Sequence, residues 1–209
     1  MKETLTIIFL LCTSLSVLAQ GRKWEVGLEA STGSAAHGGP WVLGEDEYGI
    51  TSDSKGLSWQ YNFTDTFSFC GSFLYQTAHQ SWSGDWVSNI DASGDNYMKY
   101  LVIPICAKLS YGKYYKFFIK GGPCFSYLLD ETKTGTITDR TTHIDSNYTQ
   151  NPTNRLERVG LGLYFGMGVD LYFSKWLILS FELRQLGGFP MDNDFLHSTE
   201  IVAGLRCKL

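Results

Sequence analysis

Residues 159–184 read VGLGLYFGMGVDLYFSKWLILSFELR. The odd positions Val159, Leu161, Leu163, Phe165, Met167, Val169, Leu171 and Phe173 are all apolar. Between them lie Gly160, Gly162, Tyr164, Gly166, Gly168, Asp170 and Tyr172. A period of two held this long specifies a β-strand, because successive side chains point to opposite faces. Ser174 and Lys175 leave room only for a tight turn. Alternation then resumes, with Leu177, Leu179, Phe181 and Leu183 on one face and Ser180, Glu182 and Arg184 on the other. The stretch is a long hairpin with one greasy face and one face of glycine, tyrosine and charge.

The same pattern recurs outward from this hairpin. Strands are predicted at 24–32, 57–63, 67–76, 97–110, 114–128 and 198–209, which with the hairpin makes eight. Polar, glycine-rich connections at 33–56, 79–96, 129–157 and 185–197 read as long loops. The connections at 64–65, 111–113 and 174–175 read as tight turns. Long and short connections therefore alternate, so an up-and-down antiparallel order gathers all long loops at one end. An even strand number with this asymmetry predicts an all-β, eight-stranded antiparallel up-and-down transmembrane β-barrel with long extracellular loops and short periplasmic turns. A sheet in lipid must close, since an open edge leaves backbone groups unsatisfied.

The N-terminus agrees with that location. Lys2 precedes an apolar run from Leu5 to Leu18, and Val17-Leu18-Ala19 precedes Gln20, which predicts a signal peptide over 1–19. The apolar run falls short of the roughly 20 residues that a spanning helix needs. The barrel domain is then 20–209, exported and integral to the cell outer membrane. The formal charge of −4 gives no sign of nucleic-acid binding.

Periodicity alone does not separate a membrane barrel from a soluble, lipocalin-like one, but composition does. Gly-Gly-Tyr-Gly-Gly-Asp-Tyr is a poor solvent face and a good narrow interior, because an eight-stranded barrel is only wide enough for side chains to fill. Trp24, Phe63, Phe67, Tyr111, Tyr114, Tyr115 and Trp176 gather at the turn end, with Tyr75, Tyr97 and Tyr127 toward the loops, as interfacial girdles would. The inward set then includes Glu25, Glu29, Lys108, Lys120, Asp170, Glu182, Arg184, Glu200 and Arg206. Isolated charges in so narrow a lumen are costly, so these should pair into a polar network that fixes strand register. Cys70, Cys106, Cys124 and Cys207 match no zinc or redox spacing and read as small strand residues, with a Cys70–Cys106 bridge left open.

YLVIPICAKLSYG (100–112), FFIKGGPCFSYLL (117–129), the hairpin of 159–184 and the closing IVAGLRCKL (201–209) resemble the outer-membrane β-barrel domain of Bacteroidota, the PorT-like group, among small OmpX- and OmpA-like barrels. An Ile-Pro strand, a Lys-x-Gly-Pro strand and a Gly-rich pair ending in Glu-x-Arg recur there in this order. The resemblance covers the mature chain and implies the barrel. Most such barrels have no assigned reaction, and PorT itself is tied to protein secretion in gliding bacteria. Leu209 stands where the usual terminal residue is aromatic.

Chemistry is sparse. His37, His79, His143 and His197 all fall in predicted loops. His197-Ser198 with Glu200 invites comparison with lipid A deacylases, but neighbouring strand residues point to opposite faces, and a nucleophile needs its base within reach. Glu45, Asp46 and Glu47 form an acidic cluster that reads as a solvated loop. There is no HExxH, no CxxC and no Gly-rich phosphate loop, so neither a cofactor nor a metal is expected.

The expected function is a structural or interaction role through the extracellular loops, with no reaction of its own. Trp41, Trp82 and Trp86 are the candidate contacts. An accessory part of a secretion or gliding machinery and a lipid A-modifying enzyme are the alternatives. Expected partners are outer-membrane lipid or lipopolysaccharide and other envelope proteins, with the barrel itself a monomer. A general porin is disfavoured by the strand count.

Overall fold

The computed structural model describes residues 23–37, 50–87, 90–139, 144–150, 159–188 and 196–209. The predicted signal peptide, Trp41 and the Glu45–Asp46–Glu47 cluster lie outside them, as does His143.

Nine strands are present among the described residues: β1 (Trp24–His37), β2 (Ile50–Asn62), β3 (Phe67–Val87), β4 (Ile90–Tyr111), β5 (Tyr115–Asp139), β6 (Ile144–Gln150), β7 (Val159–Tyr172), β8 (Leu177–Gly188) and β9 (Leu196–Lys208). Every pairing is antiparallel. The order β4-β3-β2-β1-β9-β8-β7-β5 returns on itself through β4–β5, which closes an eight-stranded barrel. β6 stands outside the barrel and pairs with the far end of β5.

The three short turns are built by local chemistry. Thr64 Oγ1 accepts from the Phe67 amide at 2.9 Å, and Ser174 Oγ accepts from the Trp176 and Leu177 amides at 3.1 Å each. Such hydroxyl-capped turns explain Thr and Ser at these positions. In the third turn Gly112 has φ +128°, and a Cβ there would lie 2.0 Å from the Tyr115 carbonyl oxygen. Only glycine fits. Both ends of the barrel sequence meet at this rim, where the Leu209 amide donates to the Trp24 carbonyl at 2.9 Å.

At the opposite rim the structure corrects the sequence reading. The supposed loop 79–96 is mostly ladder: β3 and β4 stay paired up to Val87 and Ile90. The supposed loop 129–157 contains the rest of β5 and all of β6. β1 and β2 also reach into the first predicted loop. Of the histidines placed in loops, His37, His79 and His197 stand on strands. The cause is that a strand wet on both faces shows no apolar alternation, so pairing rather than burial holds it. One signal was visible: Thr132, Thr134, Thr136 and Thr138 recur at every second position of β5, and β-branched residues favour strands.

The outer surface is apolar between two aromatic belts. Leu28 is 61% exposed, Leu57 59% and Leu163 54%. Large apolar side chains this exposed, all around a closed wall, exceed any patch a soluble monomer carries. They suit a lipid contact. Trp24 packs on Tyr61 with ring centroids 4.9 Å apart, and Tyr61 on Phe63 at 4.9 Å, within the belt at the turn end. At the other end His79 stacks on Tyr97 at 4.3 Å. We expect the protein to run at a shifted apparent mass on SDS gels until it is boiled. Identical migration before and after boiling would argue against a closed, SDS-resistant barrel.

Candidate functional site

Alternation in β1, β4, β5, β7, β8 and β9 turns all nine of the charged residues singled out above toward the interior, where they form ion pairs at three levels. Nearest the turns, Arg206 faces Glu25 at 3.1 Å and Asp170 at 2.5 Å, and also donates to Gln60. Lys108 Nζ lies 2.6 Å from Asp170 and 3.0 Å from Gln60 Oε1, and 4.0 Å over the Phe118 ring. Ser180 donates to the second Asp170 oxygen at 2.8 Å, and Asn62 donates to Glu25 at 2.9 Å.

At mid-height Lys120 pairs with Glu182 at 2.8 Å, and the Tyr164 hydroxyl donates to Glu182 at 2.5 Å. Gly166 makes this possible, since a Cβ there would sit 2.0 Å from Glu182 Oε1. We expect Gly166→Ala to push the carboxylate off both partners and to cost about 1–3 kcal/mol. A urea midpoint equal to wild type, measured in lipid vesicles, would refute this.

Above it, Arg184 is fully buried and spans the lumen. It faces Glu29 at 3.1 Å, pairs with Glu200, and donates to Ser31 at 2.7 Å and Ser54 at 2.6 Å. Glu200 also accepts from Ser52 and Gln76 at 2.8 Å each. This one network links β8, β9, β1, β2 and β3. Its carboxylate is thus committed to the barrel interior. Ser198 is buried two positions along β9, and among the described residues its hydroxyl has no hydrogen-bond partner.

Sequence reasoning missed the other half of the filling. Leu74, Val102, Cys70, Cys106, Cys124, Tyr164 and Leu186 form a buried apolar cluster on the side of β3, β4, β5, β7 and β8. Ala78 and Met98 continue it toward the long-connection end. Leu74 and Val102 sit at inward positions of strands read mainly for their outward apolar face. The signal available was an apolar residue on both parities. Cys70 and Cys106 are direct cross-strand partners, and both carry free thiols. A cavity of about 30 Å³ remains between the ionic and apolar halves, room for about two waters. Among the described residues no group of three or more His, Cys, Asp or Glu is placed to hold a metal.

Beyond the upper aromatic belt the wall carries other chemistry. Lys99 pairs with Asp130 at 2.7 Å on the exposed face. Ser81 donates to Asp95 at 2.7 Å and His79 lies 3.1 Å from the same oxygen. Those two contacts hold the Asp95 carboxyl below the usual carboxylate range. The carboxylate bridges Ser and His here, whereas a nucleophilic triad needs His in the middle. Trp82 and Trp86 lie on this part of β3, with side chains outside the described structure.

A family model described as the outer membrane protein beta-barrel domain matches residues 19–189. Among solved structures, OprG from Pseudomonas aeruginosa is 11% identical, with 89% of this chain and 95% of that chain covered at a TM-score of 0.53. Neisserial surface protein A is 16% identical over 90% of this chain and 97% of that one, with a TM-score of 0.49. The attachment invasion locus protein Ail of Yersinia pestis is 10% identical over 88% and 97%, with a TM-score of 0.39. The likeness to OprG is one of fold. No curated protein matches the chain.

Proposed function

The chain belongs to the outer membrane protein beta-barrel domain family, and from that premise we propose that it is an interaction barrel: a filled, non-conducting scaffold that presents a β-sheet at the cell surface and carries no reaction of its own. The observation behind this reading is the contrast between its two ends. Three tight turns close one rim, while β3, β4 and β5 run on for about ten residues past the aromatic belt and recruit β6. Loops and edges held on a rigid scaffold are where binding concentrates. Tight turns face the periplasm in barrels of this kind, so the extension faces outward.

Ion pairs and the apolar cluster fill the lumen, which supports a scaffold over a channel. Glu200 engaged by Arg184, and Asp95 bridging Ser81 and His79, give no support to a lipid A hydrolase. Export by cleavage after Ala19 and membership of the PorT-like group remain parts of the proposal. N-terminal sequencing of the mature protein tests the first, and co-purification with secretion components tests the second.

The direct test places a photo-crosslinking residue at Thr134 or Thr149 in the extension and at Lys113 in a tight turn, on intact cells. Adducts to a defined surface macromolecule from the extension alone are expected. Absence of adducts there, nanosiemens-scale conductance, or altered lipid A on expression would each overturn the reading.

A further inference from the structure

The extension beyond the belt is unusual in charge. Its strand segments 80–87, 90–99, 130–139 and 144–150 carry Asp85, Asp91 and Asp95, then Asp130, Glu131 and Asp139, then Asp145. Against these seven acids stand two bases, Lys99 and Lys133, a formal −5 where the whole chain is −4. The protein's net acidity therefore resides in this sheet, and the remainder is slightly basic. Lys99 and Lys133 are already engaged, with Asp130 at 2.7 Å and Glu131 at 3.1 Å.

The same sheet ends on an open strand. β6 pairs with β5 from Lys133↔Gln150 to Asp139↔Ile144 and, among the described residues, with no other strand. The hairpin is well made: Thr136 donates to Asn147 at 2.9 Å, and Tyr148 lies across Gly135, where a Cβ would come within 2.8 Å of the ring. IDSNYTQ contains neither proline nor lysine, two of the residues that most often blunt an edge, and Asp145 is its one charged residue. A row of backbone donors and acceptors thus stands at the margin of an acidic sheet.

We propose that the β6 edge docks an extended, cationic polypeptide segment by strand addition. Backbone hydrogen bonds to β6 would supply the pairing, and lysine or arginine on the added strand would meet the acidic sheet. This rests on the interaction role proposed above and names the class of its partner. A basic strand is favoured over an acidic or neutral one because the sheet's field repels the former and gives the latter no steering.

The test uses the full-length protein folded in phosphatidylcholine vesicles. The probe is a peptide of about ten residues alternating lysine with threonine and valine, long enough for one strand. A second peptide has glutamate at each lysine. We expect the lysine peptide alone to bind, with about tenfold weaker affinity in 0.5 M salt than in 0.05 M, as screening of exposed charge requires. The D139N/D145N variant should bind it several-fold more weakly.

Ser146→Pro and Asn147→Pro separate strand addition from loose charge attraction. Neighbouring residues direct their amides to opposite sides, so one of the two removes a donor from the open edge and should abolish binding. Both variants should keep the boiled-against-unboiled gel shift, because β6 lies outside the closed barrel. Equal binding of the two peptides, binding untouched by either proline, or calcium binding without peptide binding would each overturn the proposal. Crosslinks at Thr134 and Thr149 without peptide binding would defeat strand addition while leaving the interaction role in place. Loss of both would defeat both.

Discussion

Arg184→Ala is expected to be the most damaging substitution in the barrel interior, lowering stability by about 3–5 kcal/mol, the cost of breaking a buried pair by removing one partner. The guanidinium is wholly buried and faces two carboxylates, Glu29 and Glu200. Its removal leaves both charged in a narrow lumen and also strips a donor from Ser31 and Ser54. Glu200 keeps Ser52 and Gln76, which offset only part of the loss. The urea midpoint in lipid vesicles is the measurement, with the gel shift as a check on folding. Arg184→Lys should fall between wild type and alanine, because it restores the charge without the planar fork that reaches both carboxylates. A lysine variant no better than alanine would mean that shape, and not charge, holds this level together.

Arg206→Ala should also lower the midpoint, and by less. Arg206 faces Glu25 and Asp170, but Asp170 retains Lys108 at 2.6 Å and Ser180 at 2.8 Å. Only Glu25 loses its cation, and Asn62 still donates to it. About 2–3 kcal/mol is therefore the reasonable loss, one buried charge left with a single neutral hydrogen bond. An unchanged midpoint would show that this level of the lumen does not contribute to stability. A loss larger than that of Arg184→Ala would reverse the ranking that the partner sets predict.

These two expectations illustrate how physical ties run across this barrel. The charged pairs join strands far apart in sequence, 155 residues in the case of Glu29 and Arg184. They therefore report register around the whole wall and not the strength of one hairpin. Below the belt buried ion pairs tie the wall together; above it the sheet is held by its backbone ladder, with exposed side-chain contacts such as Lys99–Asp130 and Thr136–Asn147 beside it.

What the sequence determined by itself was the barrel, the gathering of its tight turns at one rim, and its inward charges. Each follows from a period of two imposed by lipid on one side and a narrow lumen on the other. Where one face must be apolar, as from Val159 to Phe173, alternation is written into every residue. The tight turns were legible for a similar reason, since Thr64, Gly112 and Ser174 each serve a local backbone need.

Tertiary structure alone decided three things. It decided which charges meet, because pairing between β1, β8 and β9 brings Glu29, Arg184 and Glu200 to one level, and no spacing in the chain encodes that. It decided that Leu74, Val102 and Leu186 gather with Cys70, Cys106 and Cys124 in one buried apolar cluster, because parity in a strand names a face but not its neighbours. And it turned two supposed loops into a protruding sheet, since a strand in water on both faces needs no hydrophobic pattern, only a partner whose backbone is in reach.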